Sequence, residues 1–245
     1  MAKIEGRNPV FEAIKGKRSI DNILIQKGIH GEIIDLIIGE ASKQGIMLEW
    51  VSKVTLDQMA ESHSHQGIIA FAAEKQLVSS EEIINYAKKS GEDPFIIILD
   101  QIQDPHNFGA IIRTAYAAGA HGIIFQEKRA VGITPVVVKS SAGAIEHIKL
   151  SLVTNINNEI DKLKEQGVWV AGADMDAEQR HFEADLKGPL AIVIGSEGEG
   201  LRRLVKEKCD FLINIPMPGK LGSLNASVAA GVVIYEALRQ RYHKT

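Results

Sequence analysis

"FIIILDQIQDPHNFGAIIRTAYAAG", residues 95–119, carries a strand, a turn and a helix in succession. Phe95 to Leu99 is continuously apolar, the pattern of a strand buried on both faces. The helix that follows Asn107 is almost all small or apolar: Ala110, Ile111, Ile112, Ala115, Ala117 and Ala118. Arg113 interrupts it. A lone cation in such a helix reads in one of two ways, as a residue on the wet side of an amphipathic helix or as a charge kept for chemistry.

The same strand signal recurs downstream in "GIIF", "IKLSLV", "VWVAGAD", "LAIVIG" and "FLINIP", each separated by a helical or irregular stretch. Continuous apolar strands alternating with helices predict an α/β fold with a mostly parallel sheet covered on both faces. Ligands of such sheets sit in loops beyond the carboxyl ends of the strands. The candidate loops follow Asp100, Ile194 and Ile215.

Upstream, the chain predicts a smaller α/β unit over residues 1–75. A short helix in "NPVFEAIKG" with Pro9 near its first turn is followed by a strand in "IDNILIQ" and an amphipathic helix in "GEIIDLIIGEASKQG". Then come a strand in "MLEWVS", a helix in "TLDQMAE" with a Thr55/Gln58 capping box, and a buried strand in "GIIAFAA". Residues 76–92 are polar and read as a linker holding one short helix, capped by Ser79 with Glu82. The second domain is expected over 93–245.

Composition narrows the function. The chain has 245 residues, 45% of them hydrophobic, ample for a sizeable core. Formal net charge is −3, and both parts of the chain are slightly acidic, so no bulk basic field marks a nucleic-acid binder. Any RNA contact must come from local clusters. Cys209 is the only cysteine, which excludes a disulfide framework and a cysteine-rich zinc site and suggests a core thiol. No signal-peptide pattern and no apolar run of membrane-spanning length is visible, so a soluble cytoplasmic protein without a metal is expected.

The three candidate loops are where the sequence is unusual. "GSEGEG" (195–200) has the glycine order G-x-x-G-x-G and follows a late strand, against the G-x-G-x-x-G of dinucleotide-binding domains. Loops of the Walker type and the common hydrolase signatures are absent. Glu197 among glycines could cap the next helix. Gly195, Gly198 and Gly200 suggest backbone brought close to a ligand. In "PGKLGSLNASVAAG" (218–231), Asn225 could be an N-cap, while Ala226, Ala229, Ala230 and Gly231 leave a bare helix face suited to close packing against another helix or chain.

Taken together, "NFGAIIRTA", "IVIGSEGEG" and "IPMPGKLGSLNASVAAGVVIYE" resemble the three ordered motifs of the SpoU family of RNA 2′-O-ribose methyltransferases, in the SPOUT superfamily. "GRNPVFEAI" and "SHQGIIA" resemble the ribosomal-protein-like RNA-binding module that precedes the catalytic domain in one branch. The resemblance implies a small RNA-binding α/β domain followed by a SPOUT domain with a C-terminal trefoil knot, acting as a homodimer with active sites at the subunit interface. It implies S-adenosyl-L-methionine as cofactor, met by Gly195, Ile215 and Leu224, and a catalytic set of Asn107, Arg113, Glu197, Ser223 and Asn225. Arg7, Asn8, Arg18, His63, His65 and Gln66 are candidates for RNA contact in the first domain, and Arg202, Arg203 and Lys206 beside the second motif.

The implied reaction explains these residue types. A ribose 2′-hydroxyl is a weak acid and a weak nucleophile, so it must be positioned and its developing charge stabilised. A guanidinium is hard to deprotonate, which makes Arg113 a phosphate clamp and alkoxide stabiliser rather than a base. The branch resembled most closely methylates a guanosine ribose of 23S rRNA. A transfer-RNA ribose and a non-catalytic RNA-binding protein that kept the fold are the alternatives, with a nicotinamide-dependent dehydrogenase a distant third.

Overall fold

The computed structural model describes residues 1–61, 65–219 and 222–242. By their internal contacts these fall into two compact units, Met1–Gln76 with Ile133–His147, and Leu77–Gly132 with Ile148–Thr245.

In the first unit, strands β1 (Ala2–Glu5), β2 (Ile20–Gln26), β3 (Met47–Val51) and β4 (Ile68–Ala72) form one sheet in the order β1-β4-β2-β3. β4 runs antiparallel to β1 and β2, and β2 is parallel to β3. Helices α1 (Arg7–Lys15), α2 (Glu32–Lys43) and α3 (Lys53–Met59) connect them. Two details differ from the sequence reading. "AKIE" forms an unexpected strand, too short for its periodicity to register. The third helix begins earlier than the Thr55/Gln58 pattern suggests, because Ser52 is the residue whose hydroxyl accepts from the Thr55 N–H at 3.1 Å.

The segment 133–147 carries a further helix in this unit, Pro135–Ser140. Arg18 fastens it. Its guanidinium donates to Glu146 Oε1 at 2.8 Å, with both side chains nearly inaccessible, and to the Ala73 carbonyl at 2.8 Å. His147 meets Glu12 at 2.7 Å, and Lys75 donates to the Glu146 carbonyl at 2.8 Å. A buried ion pair of this kind is costly to break from one side, by about 3–5 kcal/mol.

The second unit is built on six parallel strands: β5 (Phe95–Leu99), β6 (Gly122–Gln126), β7 (Lys149–Val153), β8 (Trp169–Ala173), β9 (Leu190–Ile194) and β10 (Phe211–Ile213). Their order is β10-β8-β9-β5-β6-β7, with β5 and β9 side by side at the centre. Every residue of β5, β6 and β9 is buried, as their unbroken apolar runs predict. Helix α4 (Ser80–Lys89), inside the stretch read as a linker, begins with the expected Ser79/Glu82 capping box. Its Ile83 and Ile84 belong to the core of this unit, packed with Ile96, Ile98 and Val193.

Helix α5 (Pro105–Ala117) follows β5, α6 is the Pro135–Ser140 helix above, α7 (Ile156–Glu165) follows β7, α8 (Arg203–Lys208) precedes β10, and the long helix α9 (Ala226–Tyr242) follows β10. Helices α5 and α9 pack on each other, and a Cβ on Gly231 would sit 4.0 Å from Thr114 Cγ2. The small-residue face of α9 is thus spent partly inside the chain, with Ala226 and Ala230 buried. The stripe left open beside it is larger and apolar, with Val228 and Tyr235 about half exposed.

Candidate active site

Three polar side chains from three distant stretches meet beyond the carboxyl ends of β5 and β9. Asn107 lies in the first turn of α5, which starts at Asp104 because that carboxylate accepts the His106 N–H at 2.9 Å and Pro105 fixes the first helical residue. Glu197 sits in the loop after β9. Asn225 precedes α9. The Asn107 amide donates to Glu197 Oε1 at 2.5 Å, and the Asn225 amide donates to the same oxygen and to Asn107 Oδ1, the latter at 3.0 Å.

Asn225 also caps its helix, since its Oδ1 accepts from the N–H groups of Ser227 at 3.0 Å and Val228 at 3.3 Å. Its capping and site roles are therefore compatible, because they use different ends of one amide. Glu197 Oε1 is held by two donors. Its second oxygen has no partner among the described residues and is open to a guanidinium.

The loop that carries Glu197 closes on itself. Ser196 and Gly200 exchange two backbone hydrogen bonds, at 3.1 and 3.0 Å. Gly198 and Gly200 take left-handed φ values of 84° and 67°, where other residues are strained. Gly195 has a different need. A Cβ there would lie 2.2 Å from the Gly200 carbonyl carbon, so the loop itself excludes a side chain. The close approach inferred from these glycines is first of all an approach of the chain to itself.

Next to this loop, a cavity is lined by Ile194, Gly195, Ile213, Ile215 and Leu224, with Ser223 at its edge. All three residues expected to meet the cofactor are there. Ser223 lies with them, and among the described residues it makes no hydrogen bond to the Asn107 cluster. Ala173, Asp174 and Met175 complete the wall and escaped the sequence reading. They follow β8, so extending the strand-end rule to that strand would have found them. Asp174 is buried and paired with Lys206 at 2.5 Å, which commits a lysine expected at phosphate.

Arg113 is elsewhere on α5. It is exposed, and among the described residues it makes no hydrogen bond or ion pair. Six positions separate it from Asn107, which turns it well away from the cluster around the helix.

The residues expected at RNA divide sharply. Arg202 donates from Nε and its backbone N–H to the fully buried carboxylate of Asp100, at 2.7 and 3.1 Å, and from Nη2 to Gln126 at 2.9 Å. It ties the loop after β9 to β5 and β6. Arg18 is consumed by Glu146, as described above. Both cations are engaged by a buried carboxylate that is invisible in the local sequence. Arg203 is exposed and meets only Glu207, at 2.8 Å, one turn on.

In the first unit, Arg7, Asn8, His65 and Gln66 surround one depression together with Lys53 and Ile29. His65 is buried there. Its Nδ1 accepts the Gly67 N–H at 3.0 Å, so Nε2 carries the proton and donates to Asp57 at 2.8 Å. His65 thereby latches the loop that carries Gln66 and Gly67. His63 lies outside the described residues.

Cys209 lies half-buried against the core. Desolvation, reinforced by Asp210, pushes its thiol up to about 12. Such a thiol is inert at neutral pH. None of the helices described is long and apolar enough to cross a membrane.

Comparison with known proteins places this geometry. The profile of the SpoU rRNA methylase family matches residues 94–235, and that of the RNA 2′-O ribose methyltransferase substrate-binding domain matches residues 3–78. YacO of Bacillus subtilis (strain 168), assigned to the TrmH family of tRNA/rRNA methyltransferases, is 46% identical over 240 residues, spanning 96% of this chain and 94% of its own. A Staphylococcus haemolyticus (strain JCSC1435) protein of the same assignment is 45% identical over 241 residues, spanning 98% and 96%. Among solved structures, the SpoU methyltransferase AviRb from Streptomyces viridochromogenes superposes with a TM-score of 0.83 at 25% identity, covering 98% of this chain and 90% of its own. AviRb has also been solved in complex with AdoMet. An RNA 2′-O ribose methyltransferase superposes with a TM-score of 0.80 at 27% identity, over 98% and 88%.

Proposed function

The chain belongs to the SpoU rRNA methylase family of RNA 2′-O-methyltransferases, and from that premise we propose that it methylates a guanosine ribose of 23S rRNA in the cytoplasm, using S-adenosyl-L-methionine, as a homodimer. The C-terminal trefoil knot belongs to the same reading. One observation carries it: the Asn107–Glu197–Asn225 cluster borders the cavity lined by Gly195, Ile215 and Leu224.

That cavity suits the cofactor by its chemistry. Its walls are largely apolar, as an adenine ring and a thioether-like chain require, and its rim is exposed backbone from the glycine loop. When bound there, S-adenosyl-L-methionine supplies an electrophilic methyl group on a sulfonium. Gly195, Ile215 and Leu224 hold it. Ser196 and Gly198 line the same cavity and flank Glu197, which brings the cluster to the acceptor side. Asn107 and Asn225 fix the Glu197 carboxylate by hydrogen bonds, so it is positioned before substrate arrives. Ser223 borders cofactor and acceptor together.

Arg113 reaches the site from the partner subunit. Its guanidinium pairs with the free oxygen of Glu197, contacts the target phosphate and stabilises the alkoxide developing at the 2′-oxygen. The open stripe of Val228 and Tyr235 on α9 supplies the apolar part of that interface. RNA is gripped through Arg7, Asn8 and Gln66 in the first unit and by Arg203 in the second.

The test has two parts. Calorimetry on purified protein should show binding of S-adenosyl-L-methionine without RNA, and absence of heat at millimolar ligand would reject the cofactor assignment. Mapping 2′-O-methylation in ribosomal and transfer RNA of a deletion strain should reveal one guanosine of 23S rRNA that loses its methyl group. A lost transfer-RNA methyl group would move the target, and no lost methyl group in either RNA would favour a non-catalytic role.

A further inference from the structure

A second cleft shares Ser196 with the cofactor cavity and reaches the Asn107 cluster. Gln101, Gln103, Asn107, Ser196, Glu197 and Glu199 line it. Gln101 is the unusual member. It is 8% exposed, yet among the described residues its amide makes no hydrogen bond. Its backbone also takes φ 60°, the left-handed region that costs a residue with a side chain about 1 kcal/mol or more. An amide without a protein partner, held at the cleft on strained backbone by an otherwise buried residue, is free to bond a ligand there.

The carboxylates around the cleft are not equivalent. Asp104, on the same rim, is engaged as the cap of α5, and Glu197 is held by the two asparagines. Glu199 is exposed and without a partner among the described residues. Its position is set by Gly198 and Gly200, whose φ values close the loop on either side of it. The cleft therefore offers one free carboxylate, one free amide on an otherwise buried residue, and a direct border with the residues that handle the ribose.

We propose that this cleft holds the base of the target nucleotide and reads it as guanine, an inference that rests on the methyltransferase reading above. A carboxylate is an acceptor only, and guanine presents two adjacent donors, N1–H and the 2-amino group, on its Watson–Crick edge. Glu199 accepts from those two. The Gln101 amide donates to guanine O6. Uracil and cytosine set an acceptor opposite Glu199, and adenine presents no N1–H, so each leaves the carboxylate unpaired or repelled. Sites built on such hydrogen bonds discriminate strongly against bases that lack them.

The experiment uses the full-length enzyme, an unmodified 23S rRNA transcript, and versions in which the mapped target is changed to A, C or U. If mapping places the methyl group in a transfer RNA, the substitutions are made in that transcript. Wild-type enzyme should prefer guanosine by about 100-fold or more in kcat/KM. Glu199→Gln and Gln101→Gly should each cut that ratio to below about tenfold. Gln101→Gly relieves the left-handed strain, so loss of the fold does not account for its effect. Affinity of both variants for S-adenosyl-L-methionine should match the wild type. Unchanged selectivity in both variants, or a mapped target other than guanosine, overturns the base-reading role while leaving the methyltransferase reading intact. An enzyme that binds no S-adenosyl-L-methionine would instead remove the reading on which it rests.

Discussion

Asn107, Glu197 and Asn225 contrast with Arg113, although all four sit in motifs of the same family. The first three are stitched together by hydrogen bonds that one chain makes for itself. Arg113 is exposed and unpaired among the described residues, around the helix from Asn107. One half of the proposed catalytic set is preorganised on folding, and in the proposed dimer the other half comes from the partner subunit. A permanent cation left without a partner, and away from it a carboxylate with one free oxygen, is the arrangement expected of a composite site.

The largest expected effect comes from breaking the preorganised half. In Gly195→Ala the added methyl collides with the Gly200 backbone, displacing the loop that carries Glu197 and borders the cofactor cavity. Calorimetry should then detect no cofactor binding, and methyl transfer should fall to background. Cofactor affinity within about threefold of wild type would show that the loop tolerates the side chain, on a scale where tenfold is about 1.4 kcal/mol.

Removing the other half should leave binding untouched. Arg113→Ala is expected to lower kcat by about 10²–10³-fold, the usual cost of one preorganised group at a developing oxyanion. Its cofactor affinity should stay at the wild-type value, because no cavity residue is altered. A parallel loss of cofactor affinity would place Arg113 in the binding site instead.

Glu197→Gln sharpens the contrast by splitting the two duties of one side chain. The amide oxygen can still accept from Asn107 and Asn225, while the charge offered to a guanidinium is lost. Thermal stability should hold, and kcat should drop by about tenfold, in line with the weaker hydrogen bond to a neutral acceptor. A fall in melting temperature without a change in kcat would assign Glu197 to the loop alone.

Cys209 should show the smallest effect. Because burial raises its thiol to about 12, alkylation by iodoacetamide at pH 8 should be slow, and activity should survive it. Reactivity should climb only as pH approaches that value. Rapid modification at pH 8 with loss of activity would place the thiol closer to the chemistry than its packing allows.

Legibility in the sequence followed the range of the physics involved. The central strands β5 and β9 announce themselves because burial on both faces leaves unbroken apolar runs, as in "FIIILD" and "LAIVIG". The loops holding Asn107, Glu197 and Asn225 follow from strand ends and glycines. Pairings between distant residues leave no such trace. Nothing near Arg18 points to Glu146, 128 positions away, and nothing near Arg202 points to Asp100, 102 positions away. Segment 133–147 grouped with the first unit for the same reason, since its ties to Arg18, Glu12 and Lys75 are visible only in three dimensions.

The claim that the site is composite is tested most directly by mixing two defective subunits. Arg113→Ala and Asn225→Ala homodimers should each be nearly inactive. Coexpressed with different tags and purified through both, the mixed dimer carries both lesions in one site and none in the other if Arg113 acts across the interface. It should then recover up to about half of the wild-type activity per dimer, one intact site of two. If Arg113 serves its own subunit, each site keeps one lesion, and a confirmed mixed dimer with no recovered activity would contradict the cross-subunit assignment.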